Sequence, residues 1–334
     1  MQFKLGLCQL TVTGDKASNI GRARIMLEEA AQMGAMLVIL PEMWVCPYSH
    51  QYFAECAEKL DDTENSSPAL SMLSEVSSSY GITVVGGSLP EWRNGRLYNT
   101  CCVFGTDGKL IAKYSKLHLF DYYESEAAAS FKESDSFTAG DRPTVFNTDL
   151  GCIGLGICHD IRFPELAKLY RAKGAEMIIY PGAFNMSTGK MLWELETKAR
   201  QVHDILFSVL AFVLSIALGN LDGLVYEHGP TSAMGLGHVD QLGSGLVEWL
   251  YVQAVDNQLF VSVCSPSRDS AGSYTIWGHS MVVGPSGEVK ASAEHEEKIV
   301  IAEIDYSENQ FQRKFFDLQH QRKQNVYRFS DFSQ

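Results

Sequence analysis

The chain has 334 residues, and 46% apolar content can fill a sizeable core in one large domain or two ordinary ones. A formal net charge of −13 argues against nucleic acid and anionic membrane surfaces as partners. Eight cysteines stand singly apart from Cys101 and Cys102 and form no CxxC pair. Neither a disulfide framework nor a zinc site is suggested, and a reducing compartment is expected. The opening MQFKLGLCQLTV starts directly on a strand pattern with no basic leader before it. Cytosol is the default expectation, with mitochondria the alternative.

In chain order, Phe3, Leu5 and Leu7 alternate as a strand, and Ile20, Ala23, Leu27 and Ala31 form the stripe of a helix that Gly34 closes. Residues 36–40 (MLVIL) read as a strand buried on both faces, ending in Pro41-Glu42. A carboxylate just past a buried strand lies where open α/β sheets place their chemistry. A helix is expected over 67–80, a buried strand over 82–86, and paired strands over 97–104 and 108–114 turning at Thr106-Asp107-Gly108. Lys116 follows the last of these strands, and Glu133 lies in the FKES stretch beyond.

The chain is organised around GCIGLGICHDIRFPE, residues 151–165, the pattern of a strand, a tight turn and a helix. Gly154 and Gly156 permit close backbone approach. Cys158 on such an elbow is expected at the sheet edge, near a helix N-terminus that favours a thiolate. A further strand over 177–180 leads to PGAFN, then a helix over 189–200. Beyond it, strands are expected over 259–264, 281–283 and 299–304, with a hairpin-type turn at Ser286-Gly287.

One Glu, one Lys and one Cys, each just past a strand, can make an amidase site. The thiol needs a base, which Glu42 can supply. Lys116 and the backbone N–H of His159 can hold the tetrahedral oxyanion. Glu42 then returns its proton to ammonia, with Glu133 fixing the lysine. Three separated residues do not establish this by spacing alone.

The chain resembles the carbon–nitrogen hydrolases of the nitrilase superfamily, most closely their omega-amidase branch. The resemblance runs through LPEMWVCPYSHQYFAECAE (40–58), GGSLPEW (86–92), LYNTC (97–101), KLHLFD (116–121), FKES (131–134), GLGICHDIRFPELA (154–167), YPGAFNMSTG (180–189), AVDNQLFV (254–261) and WGHS (277–280), nearly the whole chain in family order. It implies an α/β fold of the four-layer αββα sandwich type and a catalytic set falling on Glu42, Lys116, Cys158 and Glu133. It implies no metal or organic cofactor, and a homodimer paired partly through a basic, amphipathic arm over 311–328. The implied substrates are small 2-oxo acid amides, 2-oxoglutaramate and 2-oxosuccinamate, hydrolysed at the terminal amide to the 2-oxo diacid and ammonia. Their carboxylates call for a cation, for which Arg162 is the candidate. Tyr48, Phe184 and Thr188 are candidate pocket walls. The alternative within the class is an amidase for deaminated glutathione.

Three departures stand out. His159 occupies a position where relatives usually carry Tyr, and YYESEAAAS (122–130) replaces the usual approach to Glu133. Residues 201–253 then interrupt what would otherwise be a single hydrolase domain over 1–334. The segment holds none of the 27 Lys and Arg residues. Translated non-coding sequence is the preferred reading, since Val202 requires a GTN codon and Gln253 can be CAG, matching intron ends. A folded insertion and a membrane or partner-binding helix are the alternatives; the apolar run over 205–218 is short of the roughly 20 residues a membrane span needs. A rival of another class is a binding or scaffold protein whose site the insert has spoiled. A chain lacking 201–253 should give more soluble protein and faster amide turnover than the full chain, because the apolar run is an aggregation hazard. Paired expression and ammonia assays check this.

Overall fold

A computed structural model describes residues 1–60, 67–122, 131–199 and 257–321. The segment 201–253 with its apolar run, most of the 122–130 stretch and the end of the C-terminal arm lie outside the described residues. No helix among the described residues is long and apolar enough to cross a membrane.

The N-terminal half builds one sheet from β1 (Gln2–Gln9), β2 (Ala35–Ile39), β3 (Thr83–Val85), β4 (Leu89–Arg93), β5 (Arg96–Phe104) and β6 (Leu110–Ser115). After the short pair β7 (Asp121–Tyr122) and β8 (Phe131–Lys132), a second sheet takes β9 (Thr144–Thr148), β10 (Gly151–Leu155), β11 (Met177–Pro181), β12 (Phe260–Cys264), β13 (Met281–Val283) and β14 (Val289–Ser292). The last strand, β15 (Lys298–Asp305), returns to the first sheet and pairs antiparallel with β1. Within the sheets β1–β2–β3 and β10–β11–β12 run parallel. The register from Met177↔Phe260 to Pro181↔Cys264 joins strands on either side of the 201–253 segment.

Period-two alternation sorts the side chains into layers. Leu5, Leu7, Leu37, Ile39, Val85 and Val103 face the second sheet's Ile153, Leu155, Ile179 and Val263 in one buried cluster. Their neighbours Cys8, Val38, Val84 and Cys102 point the other way, against α1 (Lys16–Gln32) and α3 (Pro68–Tyr80). On the outer side of the second sheet lie α4 (Pro164–Ala172) and α5 (Met186–Ala199), with Tyr170 and Trp193 buried. The result is the expected αββα sandwich. All eight cysteines carry free thiols.

Local signals set the element ends. Asp15 caps α1 by accepting the Ser18 N–H at 2.6 Å, and Gly34 follows its end in left-handed backbone (φ 89°). The pattern reading does not give α2 (His50–Cys56), the edge strands β4 and β9, or the short strands β7, β8 and β14. The helix α2 has only seven residues, too few for a periodic stripe. Strands β4 and β9 are sheet edges, and β4 contains Pro90, which edge strands tolerate. The C-terminal arm forms α6 (Ser307–Phe315) and α7 (Leu318–Gln321) within the described residues.

The turn after β3 packs against the loop that leaves β2. Gly87 holds φ 63°, and a Cβ there would be driven into the Pro41 carbonyl and the Trp44 ring. Gly87→Ala should lower stability by about 2 kcal/mol or more, from left-handed strain plus that clash. A shifted urea midpoint with unchanged slope checks it.

Candidate active site

Glu42 sits three residues beyond the end of β2, held by the turn that follows β3. Trp44 Nε1 donates to the Gly86 carbonyl at 2.7 Å, the Ser88 N–H to the Pro41 carbonyl at 3.0 Å, and the Met43 N–H to Ser88 Oγ at 3.2 Å. Lys116 follows β6, Glu133 begins a 3-10 turn after β8, and all three side chains are fully buried. Lys116 Nζ lies 2.9 Å from Glu42 Oε1 and 2.8 Å from Glu133 Oε2. Glu133 also accepts the Phe120 N–H at 2.7 Å.

Burial opposes the lysine charge, but Glu133 and Glu42 outweigh it and hold the ammonium well above its ordinary range. For Glu42 burial is the larger effect: it raises the carboxyl against the pull of Lys116, and Glu133 raises it further. Glu42 is thus a stronger base than a solvated carboxylate. Its Oε2 has no hydrogen-bond partner by strict geometry among the described residues, yet the Cys158 thiol is near enough to lower the carboxyl.

Cys158 opens a 3-10 turn, Cys158–Arg162, with left-handed backbone (φ 49°). The approach is tight: a Cβ on Gly154 would meet the Tyr170 ring at 2.5 Å. One expectation is corrected here: the thiol is 6% exposed rather than open at the sheet edge. The helix beyond the elbow, α4, begins at Pro164, where the amphipathic pattern starts. Burial, then the neighbouring Glu42 charge, push the thiol well above its usual range. The resting group is a neutral thiol that needs its base.

A narrow pocket above Cys158 is lined by Phe120, His159, Arg162, Phe184, Thr188 and Tyr274. Arg162, Phe184 and Thr188 therefore share one cavity with the thiol, the guanidinium 5.6 Å from the Phe184 ring centroid. Tyr48 does not line it. It is buried one layer back, 4.8 Å centroid to centroid from Tyr274, which takes the wall position. Burial first, then Lys116 and Arg162, push the His159 imidazole down to about 3, so it is neutral at physiological pH. The one trio with metal-ligand spacing among the described residues, Glu294, His295 and Glu296, is exposed and outside the pocket lining.

Pattern reading misses Tyr274, Asn99 and Asp160. Asn99 bridges Glu42 and Glu133, with Nδ2 2.9 and 3.0 Å from their Oε1 atoms. Asp160 accepts four donors: the N–H groups of Ile157 and His118 at 2.9 Å each, His118 Nδ1 at 2.7 Å and the Tyr114 hydroxyl at 2.7 Å. It ties the cysteine elbow to the lysine loop. Asn99 lies in LYNTC and Asp160 in GLGICHDIRFPELA, but their partners are far apart in sequence. Asp160→Ala strands a buried hydroxyl and two backbone N–H groups, so stability should fall by on the order of 3–5 kcal/mol. Chemical denaturation measures this.

The carbon–nitrogen hydrolase family model matches residues 4–214 and 246–314. An Arabidopsis thaliana protein named omega-amidase, chloroplastic, is 46% identical over 99% of this chain and 75% of its own length. Omega-amidase NIT2 of Xenopus tropicalis is 38% identical over 98% of this chain and 97% of its own. Among solved structures, Nit3 of Saccharomyces cerevisiae, a member of the nitrilase superfamily, is 32% identical with a TM-score of 0.73, covering 96% of this chain and 97% of its own. The chain belongs to the carbon–nitrogen hydrolase family, within the nitrilase superfamily, and is an amidase.

Proposed function

We propose that the protein is an omega-amidase, in which Cys158 attacks the terminal amide of a short 2-oxo acid monoamide. Glu42 Oε2 takes the thiol proton as the Cys158 sulfur bonds to the amide carbon. The developing oxyanion is received by Lys116 Nζ and the His159 N–H. An ammonium has three protons, and the two carboxylates occupy two of them, leaving one for substrate. Glu42 returns its proton to the nitrogen, ammonia leaves, and a thioester remains. Glu42 then activates water, which releases the 2-oxo diacid and restores the thiol.

The observation that carries the substrate choice is Arg162 in the pocket of the nucleophile. His159 is neutral, so the guanidinium is the group that meets the substrate carboxylate. Thr188 and Phe184 border the same space, with Tyr48 bracing Tyr274 behind it. The curated relatives named omega-amidases support the same reading. Pairing into a homodimer would cover Phe311 and Phe315, which are 63% and 68% exposed on α6.

Ammonia release from 2-oxoglutaramate should vanish in Cys158→Ala. Arg162→Met should raise KM about 10- to 100-fold, the loss of one charge-assisted hydrogen bond, with kcat little changed. An uncharged short amide should be hydrolysed equally by both. Unchanged KM in Arg162→Met would remove the carboxylate assignment.

A further inference from the structure

Asn99 projects from β5, fully buried, between the two carboxylates of the site. Ionised carboxylates only accept hydrogen bonds, so the amide must turn its NH₂ toward Glu42 and Glu133. Lys116 makes a second bridge between the same two residues. Glu42 Oε1 thereby takes two donors, Lys116 Nζ and Asn99 Nδ2, both at 2.9 Å. The Oε2 atom takes none by strict geometry among the described residues.

We infer that Asn99 is a positioning residue for proton transfer: it saturates Glu42 Oε1, leaves Oε2 as the proton-accepting oxygen, and keeps Glu42 ionised beside Glu133. The inference rests on Glu42 being the base. Two carboxylates share one ammonium, so one buried negative charge is left without a counter-ion among the described residues. A neutral double donor stabilises that charge without adding a cation that would weaken the base. The other groups facing Glu42 are Lys116 from the end of β6, Glu133 from its 3-10 turn, Cys158 from the elbow, and the phenols of Tyr48 and Tyr274. Of these, Lys116 alone is a cation.

The test is the pH dependence of Cys158 alkylation by iodoacetamide, read by mass on the Cys158 peptide, beside kcat/KM for 2-oxoglutaramate. Wild type is compared with Asn99→Leu, Asn99→Asp and Glu42→Gln. Losing the donated N–H groups destabilises ionised Glu42 and raises its pKa. In Asn99→Leu the acid limb of both profiles should therefore move up by about one pH unit. That is a roughly tenfold loss at a pH on the limb, recovered at higher pH. Asn99→Asp keeps the size, adds a negative charge and should move the limb the same way; it decides the matter if Asn99→Leu does not fold. A loss of equal size at every pH, with the limb in place, would reduce Asn99 to packing and overturn the inference. Glu42→Gln separates the two readings. If it leaves the alkylation limb in place, the base assignment falls. If it removes the limb while the Asn99 variants keep theirs unmoved, only the role of Asn99 falls.

Discussion

The site depends on one ammonium buried between two carboxylates. Lys116, Glu42 and Glu133 are each fully removed from solvent, and none could remain ionised there alone. Removing one partner would leave a stranded charge, far costlier than the pair is stabilising. Glu42 is held by the loop after β2, Lys116 by the end of β6 and Glu133 by the turn after β8. The ammonium therefore fastens three segments distant in sequence, and the proposed chemistry uses the same groups. A carboxylate raised by burial and a thiol raised by burial are matched to each other: the thiol keeps its proton at rest, and on the proposed mechanism a substrate that brings its carbonyl to Lys116 completes the arrangement.

A second fastening runs through Asp160, which joins the elbow at Ile157 to the loop at His118. The first fastening sets the electrostatics and the second sets the position of Cys158, the proposed nucleophile. His118 adds to it by stacking on Phe163, 3.5 Å between ring centroids and 10° between planes, just before α4 begins.

Much of this is legible in the sequence. Continuous apolar runs mark the parallel strands β2 and β11, and the segments carrying Glu42, Lys116 and Cys158 resemble a known family. What is not legible is geometry of long separation. Asn99 and Asp160 act through residues 34 to 57 and 42 to 46 positions away, apart from Ile157 close by. A polar residue in a strand gives no local sign of such partners. Burial of Cys158 is hidden for a related reason: an elbow looks exposed until the side chains that roof it, Phe184 and Tyr274 among them, arrive from other segments. Tyr48 reads as a wall because its motif adjoins Glu42, whereas Tyr274, more than two hundred residues on, stands in front of it.

The proposed base, Glu42, and Lys116 belong to one sheet, the Cys158 thiol to the other. The gap between the two sheets, filled by Leu5, Leu7, Ile39, Leu155, Ile179 and Val263, is accordingly the spacer that sets how far the proton has to travel. In most proteins a methylene gained or lost at such positions is felt only as stability. On the proposed mechanism it would also be felt as rate, so that these aliphatic side chains, which touch no substrate, would be held to catalytic tolerances.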